Sequence, residues 1–211
     1  MAQLRDDVFV IKSLNYGEAD KILTLFGRKA GKFTVIAKGI RKIASKNRGN
    51  MQTLSLANIG YFEGRNMGVL RDSELIIEFD SKSSSMLIAR RILHLLNKLI
   101  PEDHPEPDVF DSLAMLMKDF YVDGYEEGRL NKFRFALLGK LGYLPNTKEC
   151  ILTGSKIDLN YFDPKTFGVV SEEAVKGGLI SPSLLWEKRG LDYGQAKVTE
   201  ALDRFVEGVI G

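Results

Sequence analysis

The sequence predicts an α+β protein, with a small β-barrel of the OB type in residues 1–80 and an all-helical domain in residues 81–211. Short runs rich in β-branched and aromatic residues, separated by Gly- or Asn-containing turns, recur in the first part. Apolar residues at helical spacing follow in the second part. The serine-rich residues 81–85 separate the two patterns and supply several candidate helix caps.

Five strands are expected in the first part, the first two over residues 7–15 and 21–27. Residues 32–38 alternate, so that Phe33, Val35 and Ala37 share one face of a third strand. A fourth strand is expected at residues 54–62 and a fifth at residues 68–79. Five short strands with a longer connection between the third and fourth are typical of an OB barrel, and an SH3-like barrel fits the spacing almost as well.

The stretch from Lys21 to Phe62 is basic throughout, with nine Lys or Arg residues and no Asp or Glu. Within it, residues 39–50 have Gly, Ser and Asn between the charges and no apolar period, so we expect a loop that is mobile without a ligand. Such a run indicates a surface that binds a polyanion, and a solvated face that aids solubility is the simpler alternative. The residues predicted to bind nucleic acid are Lys21, Arg28, Lys32, Lys38, Arg41, Lys42, Lys46 and Arg48.

Four helices are expected in the second part, over residues 86–100, from residue 108 to about residue 120, over residues 130–141, and from about residue 193 onward. Prolines and glycines mark the breaks between them. Residues 150–180 carry no sustained period, and we expect an irregular insert there.

The composition argues against most catalytic and metal sites. Cys150 is the only cysteine, so neither an intramolecular disulfide nor a cysteine zinc cage can form. The two histidines, His94 and His104, belong to no visible catalytic set, and we predict no enzyme activity and no cofactor. The apolar segment at residues 86–100 is interrupted by charges, which argues against a membrane span and favours a cytoplasmic protein.

The segment YGEADKILTLFGRKAGKFTVIAKGIRK (16–42), with the Gln52-x-Leu54-x-Leu56 and Arg71-x-x-Glu74 strands, resembles the bacterial recombination mediator family RecO. The helix LNKFRFALLGKLGYLP (130–145), followed by Cys150, is similar to a helix of that family's C-terminal domain. The resemblance implies binding of single- and double-stranded DNA without sequence specificity and annealing of complementary strands. It also implies cooperation with RecR and the single-stranded-DNA-binding protein in loading the recombinase.

Two departures from the family pattern change these expectations. Many RecO proteins carry a four-cysteine zinc site that begins where Cys150 stands, but the later positions here read Thr153-Gly154 and VSEEA (170–174), so we expect no zinc. The chain also stops at Gly211, where the family usually continues with a short basic segment. An OB-type module that binds structured RNA or a ribosomal surface is the alternative function.

The predicted helix over residues 130–141 is the candidate partner surface. The resemblance implies an acidic peptide as ligand, the C-terminal tail of the single-stranded-DNA-binding protein, which would need an apolar pocket with a cation at its rim. We predict Lys132, Arg134 and Phe133 as the partner-binding residues. The alternative is that the aromatic residues of this helix belong to the core and its cations to the surface.

Overall fold

The computed structural model describes residues 3–79 and 83–210, and the chain divides into two compact units, Met1–Tyr125 and Glu126–Gly211. The first unit contains five strands and two helices. These are β1 (Gln3–Tyr16), β2 (Asp20–Gly27), β3 (Gly31–Ala37), β4 (Leu56–Phe62), β5 (Gly68–Ile77), α1 (Ser83–Leu99) and α2 (Pro107–Asp123).

The five strands close into a barrel in the order β1-β2-β3-β5-β4, with β4 paired back to β1. All pairs are antiparallel except β3 with β5, where Val35 lies opposite Gly68. One parallel pair within a closed five-stranded barrel is the OB-like arrangement. The five predicted strands and the OB class are thus confirmed.

Inward-facing side chains fill the barrel because the strands alternate with period two. Val8 and Val10 of β1 and Val35 and Ala37 of β3 belong to this core, as the alternation in residues 32–38 predicts. A register shift between Val10 and Lys12 then changes the pairing of β1 with β2.

Helices α1 and α2 cover the outer face of the barrel at one end. Phe9 and Phe26 lie opposite each other on β1 and β2, and both rings contact Phe110 of α2, with centroids 5.1 and 5.6 Å away. The amide of Asn97 on α1 donates a 3.1 Å hydrogen bond to the carbonyl of Ile11. The two phenylalanines are fully buried as a result.

The second unit combines helices with a small antiparallel sheet of order β7-β6-β8. Its elements are α3 (Glu127–Lys140), β6 (Tyr161–Phe162), β7 (Val169–Val170), α4 (Glu172–Lys176), a short 3-10 helix (Pro182–Leu184), β8 (Trp186–Glu187) and α5 (Ala196–Ile210). The prediction of an all-helical C-terminal domain missed this sheet because its strands are two residues long and show no measurable alternation. The predicted irregular insert contains β6, β7 and α4.

Buried polar contacts join α3 to α5. The guanidinium of Arg134 donates to Asp203 at 2.6 Å and to Asn131 at 3.2 Å, and the amide of Asn131 donates to Thr199 at 2.8 Å. Among the described residues, no helix is both long and apolar enough to cross a membrane. The predicted domain boundary between residues 80 and 81 lies outside the described residues and stays a prediction.

Candidate nucleic-acid interface

Hydrogen bonds attach the long loop between β3 and β4 to the β1–β2 turn at one end of the barrel. The N–H of Gly39 donates to the carboxylate of Asp20 at 2.7 Å, and the N–H of Arg41 donates to the carbonyl of Ala19 at 2.9 Å. The Arg41 guanidinium also donates to the carbonyl of Gly17 at 3.2 Å. The residues that begin the basic loop are therefore held beside the start of β2.

The same loop is anchored in the barrel core, although its sequence shows no apolar period. Ile40, Met51 and Leu54 are almost fully buried among the core residues or beside them. Farther along, the amide of Asn50 donates to the carbonyl of Ser73 on β5 at 2.8 Å. The loop is thus anchored to the barrel near both of its ends, whereas residues 41–44 between the anchors are exposed, and the mobility of the loop stays a prediction.

Three of the predicted residues line one cavity there. Lys21 lies opposite Ala37, whose side chain faces the barrel core, so Lys21 is on the inward side at the open end of β2. It shares a cavity of about 390 Å³ with Arg41, Arg48, Ile40 and Gln52. The Gln52 amide donates to the carbonyl of Arg48 at 3.3 Å. We name Lys21, Arg41 and Arg48 with this cavity the basic mouth.

Three further predicted cations, Lys38, Lys42 and Lys46, are exposed on the loop that forms the basic mouth. Within residues 3–79 and 83–210, none of the six lies within ion-pair distance of a carboxylate. Clustered cations without anionic partners raise the local potential and attract phosphates. A flexible polyanion can therefore neutralise them in place of counterions.

The other two predicted cations, Arg28 and Lys32, lie at the opposite end of β2 and β3. Arg28 makes a two-pronged ion pair with Asp111 of α2, at 2.7 and 2.8 Å, and this carboxylate raises the pKa of Arg28. Lys32 donates to the carbonyl of Asn97 at 3.2 Å and is largely buried. Both therefore bind protein groups that attach α1 and α2, and neither lies at the end of the barrel where the other six predicted cations converge.

The predicted partner residues on α3 do not share one surface. Lys132 is exposed, whereas Phe133 and Arg134 are buried in the second unit. Arg134 is held by Asp203 and Asn131, so it cannot also bind a peptide carboxylate from solvent. For these two residues the interpretation as core applies, and only Lys132 remains a prediction for a partner contact.

The surroundings of Cys150 do not fit zinc. Its sulfur accepts a hydrogen bond from the N–H of Ser171 at 3.3 Å, and the hydroxyls of Thr153 and Ser171 lie 3.3 Å apart beside it. Burial alone raises the pKa of Cys150, but hydrogen bonds from Ser171, Thr153 and the backbone lower it to about 6. Neutral hydroxyls are poor substitutes for thiolate or imidazole ligands. Residues 3–79 and 83–210 hold no cluster of His, Cys, Asp or Glu suited to a metal ion.

Sequence reasoning missed the uncharged residues of the interface. Ile40 and Gln52 line the basic mouth, and Tyr16 is exposed at the end of β1, next to the Gly17 carbonyl that binds Arg41. The exposure of Tyr16 could not be predicted without the register shift between Val10 and Lys12, because this shift sets which side chains of the last part of β1 face outward.

The chain matches two family models, Recombination protein O N terminal over residues 1–79 and Recombination protein O C terminal over residues 82–183. It is also similar to curated proteins named DNA repair protein RecO. One, from Heliobacterium modesticaldum, is 29% identical over 231 aligned residues that cover 100% of this chain and 83% of the relative. Another, from a Thermoanaerobacter species, is 30% identical over 178 residues that cover 81% of this chain and 70% of the relative.

Proposed function

Because the chain belongs to the RecO family of DNA repair proteins, we propose that it binds single- and double-stranded DNA without sequence specificity, through the basic mouth and its loop. It anneals complementary strands and helps to load the recombinase onto single strands covered by the single-stranded-DNA-binding protein. We propose no catalytic step, since annealing needs none.

The observation that carries this proposal is the convergence of six cations without carboxylate partners, within the described residues, at one end of the barrel. Two DNA strands repel each other through their phosphates, and a protein that neutralises both lowers that repulsion. The cations come from a β-strand and a loop, and not from a helix, the element that most often reads base edges in the major groove. Such a site favours binding that is independent of sequence.

Family membership supports RecR and the tail of the single-stranded-DNA-binding protein as partners. The resemblance to RecO implies that this tail is acidic. Of the residues predicted on α3, only Lys132 is exposed and can contact it. We propose that Lys132 contributes a charge contact to that partner. It would act together with residues that the sequence did not identify.

The salt dependence of DNA binding tests the main proposal. If five to eight phosphates of a single strand are neutralised, log K should fall against log[salt] with a slope of about −3.5 to −5.6. Replacing Arg41, Lys42 and Lys46 together by alanine should make that slope shallower by about 2, because each lost contact removes roughly 0.7. The annealing rate of complementary oligonucleotides should fall in the same variant.

The matched control removes the same charge from the second unit, at the exposed Lys148, Lys156 and Lys165. Its slope and annealing rate should stay close to those of the unmodified protein. Equal slopes for the two triple variants would show that the basic mouth is not the DNA site. Competition in which structured RNA displaces single-stranded DNA at fixed salt would favour the RNA-binding alternative.

A further inference from the structure

The outer face of β1, β2 and β3 carries a row of aliphatic side chains that the DNA proposal does not use. Opposite residues on paired strands point to the same side of a sheet. Leu14 lies opposite Ile22, Ile22 opposite Ile36, and Ile36 opposite Val69 of β5. We name Leu14, Ile22, Ile36 and Val69 the outer apolar row.

This row is the part of the outer face that α1 and α2 leave open. The row at the far end of the same strands, Phe9 and Phe26, is fully buried beneath Phe110. In the outer apolar row, Leu14 is 49% exposed, and its other members are half-buried. Tyr16, two residues beyond Leu14 on the same side of β1, is 55% exposed.

Cations border the row on both sides. Lys12 precedes Leu14 and Lys38 follows Ile36, each by two residues, so both lie on the outer face, and both are exposed. Two acids lie at this edge: Asp20, which pairs with Tyr16 and whose carboxylate accepts the Gly39 N–H, and the exposed Glu18 of the same turn. Beyond Tyr16, Arg41 begins the basic mouth through its bond to Gly17. Apolar contact area and phosphate-binding charge therefore adjoin each other.

We propose that the outer apolar row and Tyr16 contact the bases of single-stranded DNA while the adjoining cations hold its phosphates. This inference rests on the proposed function and adds a strand preference to it. A duplex keeps its base faces stacked inside, so only its phosphates can reach this surface. A single strand can lay its bases on Tyr16 and the aliphatic side chains. The bordering cations favour a nucleic acid over an uncharged protein surface as the occupant.

The test replaces Leu14 by serine and Tyr16 by alanine in the full chain, since both side chains are exposed and their loss leaves no cavity. Affinity for an oligonucleotide of mixed sequence should fall roughly 5- to 150-fold, the range for losing a base contact. Affinity for a duplex of equal length should change less than about twofold, and the salt slope on single strands should stay the same, because no cation is removed. Ile76→Ser is the matched control, because Ile76 is 50% exposed on β5 outside the row.

Three results would overturn the inference. Equal losses on single strands and duplexes would show that the double variant disturbs the phosphate contacts. Unchanged binding to both, while the Arg41, Lys42 and Lys46 variant is impaired, would leave the proposed function standing and remove the row from it. Unchanged DNA binding with lost co-elution of purified RecR would make the row a protein surface. If the unmodified chain binds no DNA at all, the proposed function itself fails.

Discussion

At one end of the barrel Arg28 and Lys32 bind protein groups, whereas at the other end Lys21, Arg41 and Arg48 face a cavity. All five belong to the same acid-free stretch of sequence. The first two attach helices to the barrel, and the last three, in the part of the chain that the structure describes, make no ion pair with a carboxylate. Charge of one type thus serves stability at one end and is available for a ligand at the other.

The two ends of the barrel differ because helices from distant parts of the chain supply binding partners for the cations at one end only. Asp111 and the Asn97 carbonyl are supplied by α2 and α1, 83 and 65 residues away from the cations that they bind. At the basic mouth, the loop returns to the barrel through Ile40, Met51 and Leu54, which bring no charge. A cation is functional or structural according to its distant neighbours, and substitutions should separate the two kinds.

The largest effect is expected for a cation that is both buried and paired. The Arg134 side chain is 3% exposed and lies 2.6 Å from Asp203. Asp203→Ala removes the carboxylate from a buried guanidinium; since Asp203 itself is 39% exposed, the free energy of unfolding should fall by about 3 kcal/mol, the lower end of the range for a buried pair. Urea titration of the full chain measures this loss. Asp203→Asn keeps an acceptor for the guanidinium and should lose less, and equal losses would show that the carboxylate charge does not matter.

A smaller loss of stability is expected when Lys32 is replaced, and this substitution tests directly whether the two ends of the barrel differ in role. Its ammonium donates to a carbonyl in the last turn of α1, where a cation is favourable. Lys32→Met keeps the aliphatic stem and removes the charged hydrogen bond, so stability should fall by about 1.5–3 kcal/mol. The salt slope of DNA binding should not change.

Lys38→Met is the matched variant at the other end of β3, where the lysine is exposed. It should leave the urea midpoint almost unchanged and make the salt slope on single strands shallower by about 0.7. If Lys32→Met changed the slope and Lys38→Met did not, the assignment of the two ends would be reversed.

The barrel was predictable because its strands carry their signal locally. Phe33, Val35 and Ala37 alternate into the core as their spacing indicates, and β1 and β2 each end at a turn that the sequence marks. The site was predictable only as a set of charges. Whether Arg28 or Lys42 is available depends on Asp111, which no local pattern connects to either residue.

The loop and the second unit show the other limit of sequence reasoning. Ile40, Met51 and Leu54 are spaced too irregularly for a helix or a strand, yet they anchor the loop because the barrel end needs apolar residues to close it. Phe133 and Arg134 share a helix with Lys132, but both are buried, and Arg134 is held by Asp203 of α5. Packing partners, and not spacing, decide these positions.

The smallest effect on stability is expected for the Cys150 thiolate, an anion that hydrogen bonds stabilise. Hydrogen bonds lower the pKa of Cys150 to about 6, from 9.0 for an ordinary thiol. Between these values the unfolded chain binds more protons than the folded one, so the thiolate stabilises the fold increasingly from pH 6 to pH 9. This contribution is complete above the unfolded pKa and is lost as the pH falls through 6. At neutral pH it amounts to about 1 kcal/mol.

Cys150→Ser tests this, because a serine hydroxyl fills much of the same space and does not ionise in this range. The stability difference between the two proteins should grow with pH from 6 to 9 and level off at a constant value below 6. The ultraviolet absorbance of the thiolate gives an independent titration, since the chain has a single cysteine. A difference in stability that is constant across this range, with a thiolate signal that appears only near pH 9, would show that burial outweighs the hydrogen bonds from Ser171 and Thr153.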